Sequence, residues 1–571
     1  MFLALIGLVV VWIVGAGIVL VLGLLDAGHG MSQVQQAKGR LSASDLVSQE
    51  ALAPLRAARI DFSSSEGLLH SPLLVPLEIV PVIGRQLRSV QDLSTAAERT
   101  TQIGISAMDQ VHGVLDAAHE GGPDRVTALR RLASLATTTN GELGRIDTGP
   151  AEALFSPLAH KRADFVRQVE EVRTRLVHAA AVAQATAGIL QGPQSYLVLM
   201  ANPAEMRAGS GAFLEAGLLT TDDGRVQLSG LVPTVQLSLA PGTVPVGGDL
   251  EARWGGLLPG VDWRNLGLTP QFDVNGPLAA RMWEAVTGEQ VDGVMAVDVQ
   301  ALQQFLDVTG PVTLDDGRIV SSDDVVRFLT HDQYAGLTDT GAQGQAQQAR
   351  QDELGALAHS AFDALEGEPL DMKTLADAMT ASASGRHILL WSRDPAAEAA
   401  WREGEVAGQL SPSSLLAAVI NRGGNKLDQY LDVRVGLRLS KGDNTDATLT
   451  VDLDNQTPPG QSEFIAGPYP GLGTVYGEYV GLLALNLPAG SSHVQVEGRP
   501  PFAVQGAEGP TWLVVSPVDV TEGESMQVVV HFELPSVLRS VTVLPSARLS
   551  PVAWAYPGGS ATDASPFVIS W

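Results

Sequence analysis

An uncharged apolar run near the N-terminus constrains this chain most. Phe2 to Leu25 contains 24 residues without a charged side chain, and the first charge is Asp26. At about 1.5 Å per helical residue the run would extend roughly 36 Å, enough to cross the hydrocarbon core of a membrane. A cleaved signal peptide usually has an apolar region of only about 7 to 15 residues and a cleavage site such as A-x-A. The sequence therefore favours a transmembrane anchor over residues 1–27.

Everything after this anchor should lie on one side of the membrane, because the sequence has no second apolar run of about 18 residues. The 571 residues include no Cys, which excludes disulfides, zinc ribbons, iron–sulfur clusters and thiol nucleophiles. A single N-terminal span most simply carries the rest of the chain across the membrane. We therefore expect a single-pass protein of the cytoplasmic membrane with its bulk extracytoplasmic.

The charge balance limits the partners. Asp and Glu number 63 against 36 Lys and Arg, so the formal charge is −27. Phosphate backbones would repel such a surface, and nucleic acid is excluded as a partner. A hydrophobic content of 45% and a charged content of 17% are ordinary for folded proteins.

Residues 28–192 carry the periodicity of long amphipathic helices, with apolar side chains at three- and four-residue spacings. The first stripe is Leu87, Val90, Leu93, Ala97, Ile103, Met108, Val111 and Leu115, and the second is Phe165, Val169, Val172, Leu176 and Ala180. Because amphipathic helices are usually packing elements, we expect a membrane-proximal bundle or stalk. The alternative is a coiled coil that binds a partner.

Residues 193–400 mix short strands with helices. Tyr196 to Met200 is an apolar run typical of a buried strand. The sequence Asp-Asp-Gly-Arg occurs at 222–225 and again at 315–318. Asp-Gly favours a type I′ hairpin turn because Gly accepts a positive φ, whereas a metal site is the alternative for these paired carboxylates. We predict an α/β core.

Residues 427–571 are predicted to be β structure, joined to the α/β core by a connecting segment at 401–426. Apolar and polar residues alternate in stretches that Gly, Pro and Ser separate. This pattern is typical of one or two β-sandwich modules, so the predicted fold class is multidomain α+β. Calcium binding is the alternative role for several aspartates in this region. These are Asp443, Asp446, Asp452 and Asp454.

The clearest candidate for ligand binding is Arg207, in a Gly/Ser-rich turn before a strand. A guanidinium beside exposed backbone N–H groups could hold a phosphate or pyrophosphate. Alternatively, Arg207 pairs with Glu205 or Glu215 and braces the loop. The sequence contains no zinc-binding His motif, nucleophile elbow, phosphate loop or dinucleotide fingerprint.

Two segments resemble signatures of a bacterial membrane-anchored family called domain of unknown function 4012. The first signature segment, Asn202 to Phe213, is NPAEMRAGSGAF, similar to that family's N-x-x-E-x-R-x-x-G-G-F, although Ser210 stands where Gly is more usual. The second signature segment, Asn421 to Leu431, is NRGGNKLDQYL. The order of anchor, helical region, central domain and β region also fits. The resemblance covers nearly the whole chain but implies no reaction.

Residues 291–311 are also similar to the central stretch of LytR-CpsA-Psr glycopolymer transferases. Arg350-Gln351 resembles their R-x-x-R-Q motif, and Arg207 falls where they have R-x-D. Those enzymes transfer a glycan from a polyprenyl-pyrophosphate carrier to the cell wall, with Arg on the pyrophosphate and Asp around Mg²⁺. The resemblance implies a LytR-CpsA-Psr-like core with six phosphate or pyrophosphate contacts. These are Arg207, Gly209, Ser210, Gly211, Arg350 and Gln351.

Three departures weaken the catalytic part of this resemblance. Gly209 replaces the acid of R-x-D, Gln347 replaces the first Arg of R-x-x-R-Q, and 237–244 lacks the Arg and Asp of S-I-P-R-D-T. The expected Mg²⁺ ligands are missing, so we assign no cofactor and no catalytic residue. We expect an envelope protein that binds or transfers a cell-wall glycopolymer or its polyprenyl-pyrophosphate-linked precursor. The alternative is a non-catalytic scaffold that binds protein partners through its helical and β modules.

Overall fold

The computed structural model describes most of the chain from residue 82 onward. The described residues are 56, 59, 82–117, 122–314, 317–335, 355, 357–364, 371–441, 445–469, 471–498 and 502–571. The predicted anchor lies outside them. Within these ranges, no helix is both long and apolar enough to cross a bilayer. The fold is mixed α+β and multidomain, with a β-rich C-terminal region.

Tertiary contacts divide the chain into two compact units. One contains the described residues up to Gln191 and those within 369–380. The other contains the described residues from Gly192 to 368 and from Ala381 to Trp571.

Among the described residues, the first unit contains three long helices. They are α1 Ile83–Asp116, α2 Gly122–Leu143 and α3 Ser156–Gln191. The apolar stripe predicted for the last helix is confirmed, because Phe165, Val169 and Leu176 are buried in one cluster with residues of the other two helices. Apolar side chains one turn apart place their stripe on the core-facing side of the helix.

A five-stranded sheet forms the centre of the second unit. Its strands are β1 Gln194–Met206, β2 Gly211–Asp222, β3 Arg225–Pro233, β4 Gly293–Asp298 and β7 Ile388–Ser392, in the order β3-β2-β1-β4-β7. Only β1 and β4 pair in parallel. The predicted turn at 222–225 is confirmed, because Asp223 and Gly224 have φ of +47° and +78°, as a type I′ turn requires.

The second unit also contains helices and a small hairpin, and one further helix is divided between the two units. The helices are α4 Gly248–Trp254, α5 Phe272–Thr287, α6 Val299–Thr309, α7 Ser322–Arg327, α8 Met372–Ser384, which the two units share, and α9 Pro395–Glu403. Strands β5 Val312–Thr313 and β6 Ile319–Val320 pair, as the second Asp-Gly pattern predicts, although Asp315 and Asp316 lie outside the described residues. Short helical turns at Trp263–Leu268 and Leu427–Tyr430 border the site described below.

The β-rich region consists of two six-stranded sheets. One has the order β12-β15-β10-β9-β17-β18 and the other β13-β14-β11-β8-β16-β19. Their strands are β8 Ser414–Asn421, β9 Leu431–Lys441, β10 Thr445–Asn455, β11 Tyr479–Leu487, β12 Ser492–Val496, β13 Val504–Glu508, β14 Thr511–Val520, β15 Ser525–Leu534, β16 Ser540–Val543, β17 Ala553–Tyr556, β18 Gly559–Thr562 and β19 Phe567–Ser570. One hydrophobic cluster contains side chains from both sheets.

Strand β8 is a correction to the predicted organisation. It lies within 401–426, which we expected to connect two regions, yet it is an interior strand of a six-stranded sheet. All eight of its residues are buried. Val419 packs into the cluster shared by the two six-stranded sheets, and Ile420 packs into the cluster of the five-stranded sheet. A strand buried on both faces is continuously apolar, so β8 lacks the alternation by which we recognised the strands of residues 427–571.

Candidate functional site

The first signature segment forms the end of β1, a tight loop and the start of β2. The loop closes on itself, because Arg207 N donates to Ser210 O at 2.8 Å, and Gly209 N donates to Gly267 O at 3.0 Å. Gly211 is required by the close approach of the chain, since a Cβ there would lie 2.2 Å from the carbonyl carbon and oxygen of Asn202. Ser210 is buried. The loop is therefore packed against the protein rather than open to solvent.

Arg207 points into the protein from this loop and is only 6% exposed. Its Nε donates to Arg264 O at 2.9 Å, and its Nη1 donates to Met206 O at 2.9 Å and to Asn421 O at 3.2 Å. Burial lowers the pKa of Arg207, and the charge of Glu205 opposes that shift. The Nε and Nη1 groups of this guanidinium therefore bind main-chain carbonyl oxygens from separate segments of the chain.

The second signature segment packs directly against the first. Asp428 Oδ2 accepts from Met206 N at 3.0 Å and from Asn421 Nδ2 at 2.9 Å, while its Oδ1 accepts from Tyr479 OH at 2.8 Å. Arg548 Nη1 donates to the same Oδ1 at 3.1 Å. Burial raises the pKa of Asp428, and the charge of Arg548 together with these hydrogen bonds opposes the shift. This carboxylate joins both signature segments to the β-rich region.

Lys426 makes the second contact between the signature segments. It is 5% exposed and pairs with the Glu205 carboxylate. Its Nζ lies 4.7 Å from the ring centroid of Tyr334 and 5.3 Å from that of Phe464, distances at which an ammonium is attracted to an aromatic face. Burial alone would lower the pKa of Lys426, but the charge of Glu205 raises it above its ordinary value.

Two more arginines border Arg207. Arg264 donates to both carboxylate oxygens of Asp262, from Nε to Oδ1 at 3.0 Å and from Nη2 to Oδ2 at 2.8 Å. Arg422, from the second signature segment, donates from Nη1 to Asn265 Oδ1 at 3.3 Å. Burial and the charge of Arg264 lower the pKa of Arg422, while Asp262 opposes the shift.

The structure brings together four of the six predicted ligand contacts. Arg207, Gly209, Ser210 and Gly211 lie in one loop, whereas Arg350 and Gln351 lie outside the described residues. Neither Glu205 nor Glu215, which we considered as partners of Arg207, forms an ion pair with it within 4 Å in the described part of the chain. The predicted bracing role is nevertheless close to what we observe, with carbonyl oxygens replacing carboxylates.

Sequence reasoning missed the side chains that meet this loop. Arg422, Lys426 and Asp428 stand in the second signature segment, to which we assigned no chemistry, and Arg548 lies in a stretch without a motif. A usable signal was present, since Lys426 is one of only five lysines and follows the apolar run of β8. A charged residue beside a buried strand requires a partner.

The described residues do not fit a Mg²⁺ site. Among them, no group of three or more His, Asp or Glu side chains is placed to hold a metal ion. Gly209 offers no side-chain ligand, and the nearby Glu205 and Asp262 each pair with a basic side chain. In the β-rich region, Asp452, one of the aspartates considered for calcium binding, accepts a hydrogen bond from Gln527 at 2.7 Å.

Comparisons with known proteins cover part of this site. No curated protein and no solved structure matches the chain. One family model matches residues 191–334, a stretch that includes the first signature segment and ends before the second. Residues 191–334 match the family described as "Protein of unknown function (DUF4012)", which supports the chain's relationship to that family.

Proposed function

We propose that this chain is a membrane-anchored, extracytoplasmic cell-envelope protein that acts as a non-catalytic scaffold and binds protein partners through its helical and β modules. The observation that carries the proposal is the internal use of the charged signature residues. Lys426 pairs with Glu205, Asp428 pairs with Arg548, and Arg207 binds carbonyl oxygens. Such contacts hold segments of the chain together.

The carboxylates around Arg207 also favour a structural role of these residues over a catalytic one. Glu205, Asp262 and Asp428 each form an ion pair with a basic side chain. A general base or a metal ligand must offer a free lone pair to its substrate or metal. Freeing a buried carboxylate from its partner would cost several kcal/mol. The resting arrangement is therefore that of a structural network.

Exposed apolar side chains provide places where partners could bind. Val537 and Val568, in the β-rich region, are 86% and 59% exposed, and Phe155, in the helical unit, is 59% exposed. Burial of a large apolar side chain contributes about 1.5 to 3 kcal/mol. These positions are the natural probes for a scaffold function.

Site-specific photo-crosslinking of the full chain in its native membrane tests this proposal. A photoreactive residue would replace Phe155, Val537 or Val568, and the matched control would carry it at the exposed Glu497. We expect discrete adducts with the same few envelope proteins at one or more apolar positions and none at Glu497. An absence of adducts at all three apolar positions would reject the scaffold.

Binding or transfer of a cell-wall glycopolymer, or of its polyprenyl-pyrophosphate-linked precursor, is the second candidate function. The observation in its favour is that Arg207, Arg264 and Arg422 lie together. Purified full chain would be incubated with a labelled lipid-linked glycan and a cell-wall acceptor. Under the scaffold proposal no labelled polymer forms; product that disappears in Arg422→Ala would instead establish transfer.

A further inference from the structure

Three arginines from separate segments converge beside the first signature segment. Arg207 Nε donates to the carbonyl of Arg264, and Arg207 Nη1 donates to Asn421 O, the carbonyl that precedes Arg422. Arg422 in turn donates to Asn265, the neighbour of Arg264. The three side chains are therefore linked through adjacent backbone positions. The positive charges of Arg422 and Arg264 act unfavourably on that of Arg207, because like charges repel one another unless anions separate them.

The protein neutralises only one of these three charges directly. Asp262 binds Arg264 through both carboxylate oxygens. Within the described parts of the chain, neither Arg207 nor Arg422 forms an ion pair within 4 Å. With Lys426 and Arg548 included, five cationic side chains here face three carboxylates, those of Glu205, Asp262 and Asp428.

Donor groups also remain available in this cluster. A guanidinium has five N–H donors, and within the described residues Arg422 uses a single one, to Asn265. Among the described residues, Arg207 Nη2 donates to no protein acceptor, whereas its Nε and Nη1 are fully used. Arg422 is half-buried and therefore still reachable from solvent.

From this geometry we propose that Arg422, together with the Nη2 group of Arg207, binds a phosphate group. A planar guanidinium fork matches two phosphate oxygens, and charge-assisted hydrogen bonds of this kind are the strong ones. A phosphate monoester carries about 1.5 to 2 negative charges at neutral pH, and the phosphodiester of a lipid headgroup carries one. Either would offset charge on the two arginines that lack a carboxylate. The site goes beyond the scaffold function and does not depend on it.

The net negative charge of the molecule favours anion binding at this site over the rest of the surface. With a net charge of −27, most of the surface repels anions, so phosphate would concentrate only where basic side chains outnumber acidic ones. Binding should weaken as the salt concentration rises, because half-buried charges are partly screened.

Phosphate could reach this site as a free ion or as a lipid headgroup, and two probes distinguish these sources. In the first, inorganic phosphate is titrated into the full chain in detergent by calorimetry. In the second, soluble short-chain phosphatidylglycerol or phosphatidylcholine is titrated into the same solution, because an anchored chain would float with vesicles of either lipid. Binding of inorganic phosphate identifies a free phosphate. Binding that appears only with phosphatidylglycerol identifies a lipid headgroup.

Each probe is applied to wild type, Arg422→Ala, Arg422→Lys and the matched control Arg438→Ala. Arg438 is an exposed arginine on β9 of the same unit. We expect Arg422→Ala to weaken binding about tenfold or more, because two charge-assisted bonds are lost. Lys keeps the charge but not the fork, so Arg422→Lys should bind more weakly than wild type.

A loss of affinity in both Arg422 variants, with Arg438→Ala unchanged and the thermal transition preserved, supports the site. If Arg422→Ala fails to fold, Arg422→Lys alone decides between the outcomes. Wild-type affinity in the folded Arg422 variants, for both probes, overturns the proposal. Equal weakening by Arg438→Ala also overturns it, since the effect would then be a general response to net charge.

Discussion

Arg548 Nη1 lies 3.1 Å from Asp428 Oδ1, and both side chains are 1% exposed. Arg548 Nη2 also donates to Asp428 O and Leu431 O, each at 2.9 Å. One arginine near the C-terminal end thus binds both the carboxylate and the backbone of the second signature segment. Because both side chains are buried, the stability of the pair depends on these hydrogen bonds as well as on the attraction between the charges. Arg548 Nε has no hydrogen-bond partner among the described residues.

We predict that Arg548→Met destabilises the protein strongly. The substitution leaves Asp428 buried without its cationic partner, for which we expect a loss of about 3 to 5 kcal/mol. Denaturant unfolding monitored by circular dichroism measures this change. The matched control is Arg434→Met, whose exposed ion pair with Asp432 should contribute no more than about 1 kcal/mol.

The double variant Asp428→Asn/Arg548→Met completes this test. Removing both charges eliminates the unpaired carboxylate, so we expect the double variant to be more stable than Arg548→Met alone. Additive losses in the double variant would show that the two side chains stabilise the fold independently.

We predict that Gly211→Ala disrupts the first signature loop. A Cβ at Gly211 would lie 2.2 Å from the backbone of Asn202, and backbone atoms cannot move aside as the end of a side chain can. We expect a lower melting temperature and a loss of stability of at least about 1 to 3 kcal/mol from overpacking. Differential scanning calorimetry measures both.

Gly436→Ala is the matched control, since Gly436 is also a strand glycine and a Cβ there would find its nearest neighbour at 3.9 Å. Its melting temperature should stay close to that of the wild type. A Gly211→Ala protein that melts at the wild-type temperature would show that the loop has room to relax.

We predict a pH-dependent contribution from His387. Its Nδ1 lies 2.7 Å from Asp298 Oδ2, and Asp298 Oδ1 accepts from the first amides of α6. Burial alone would lower the pKa of His387, but the charge of Asp298, its hydrogen bond and the charge of Asp563 raise it above the ordinary 6.5. A raised folded-state pKa stabilises the fold fully below the unfolded-state pKa, and this stabilisation is lost as the pH rises through the folded-state value.

Thermal unfolding of wild type and His387→Gln from pH 5.5 to about 8.5 measures this contribution. The stability advantage of wild type should be largest at the acid end and should shrink as the pH rises past 6.5. In the Asp298→Asn background the pH-dependent part of the difference should be much smaller. An advantage that grows with pH would mean that burial outweighs Asp298.

Helices and hairpin turns were predictable from sequence because they depend on local geometry. The stripe through Phe165 and Leu176 follows from the helical repeat, and the turn at Asp223-Gly224 follows from the positive φ that Gly tolerates. Strand β8 has a continuous apolar run like that of Tyr196 to Met200, but periodicity alone does not distinguish a short buried strand from a helix or a connecting segment. Its burial on both faces, between two hydrophobic clusters, is a tertiary fact.

The amino-acid sequence by itself determined the acidic charge, the lack of Cys chemistry, the class of the secondary structure and the two signature segments. Only the tertiary structure decided what the charged residues of those segments contact. Lys426 and Glu205 are 221 residues apart, and Arg548 and Asp428 are 120 residues apart. Burial forces a charged group to find a partner, but the fold decides which distant residue comes within reach.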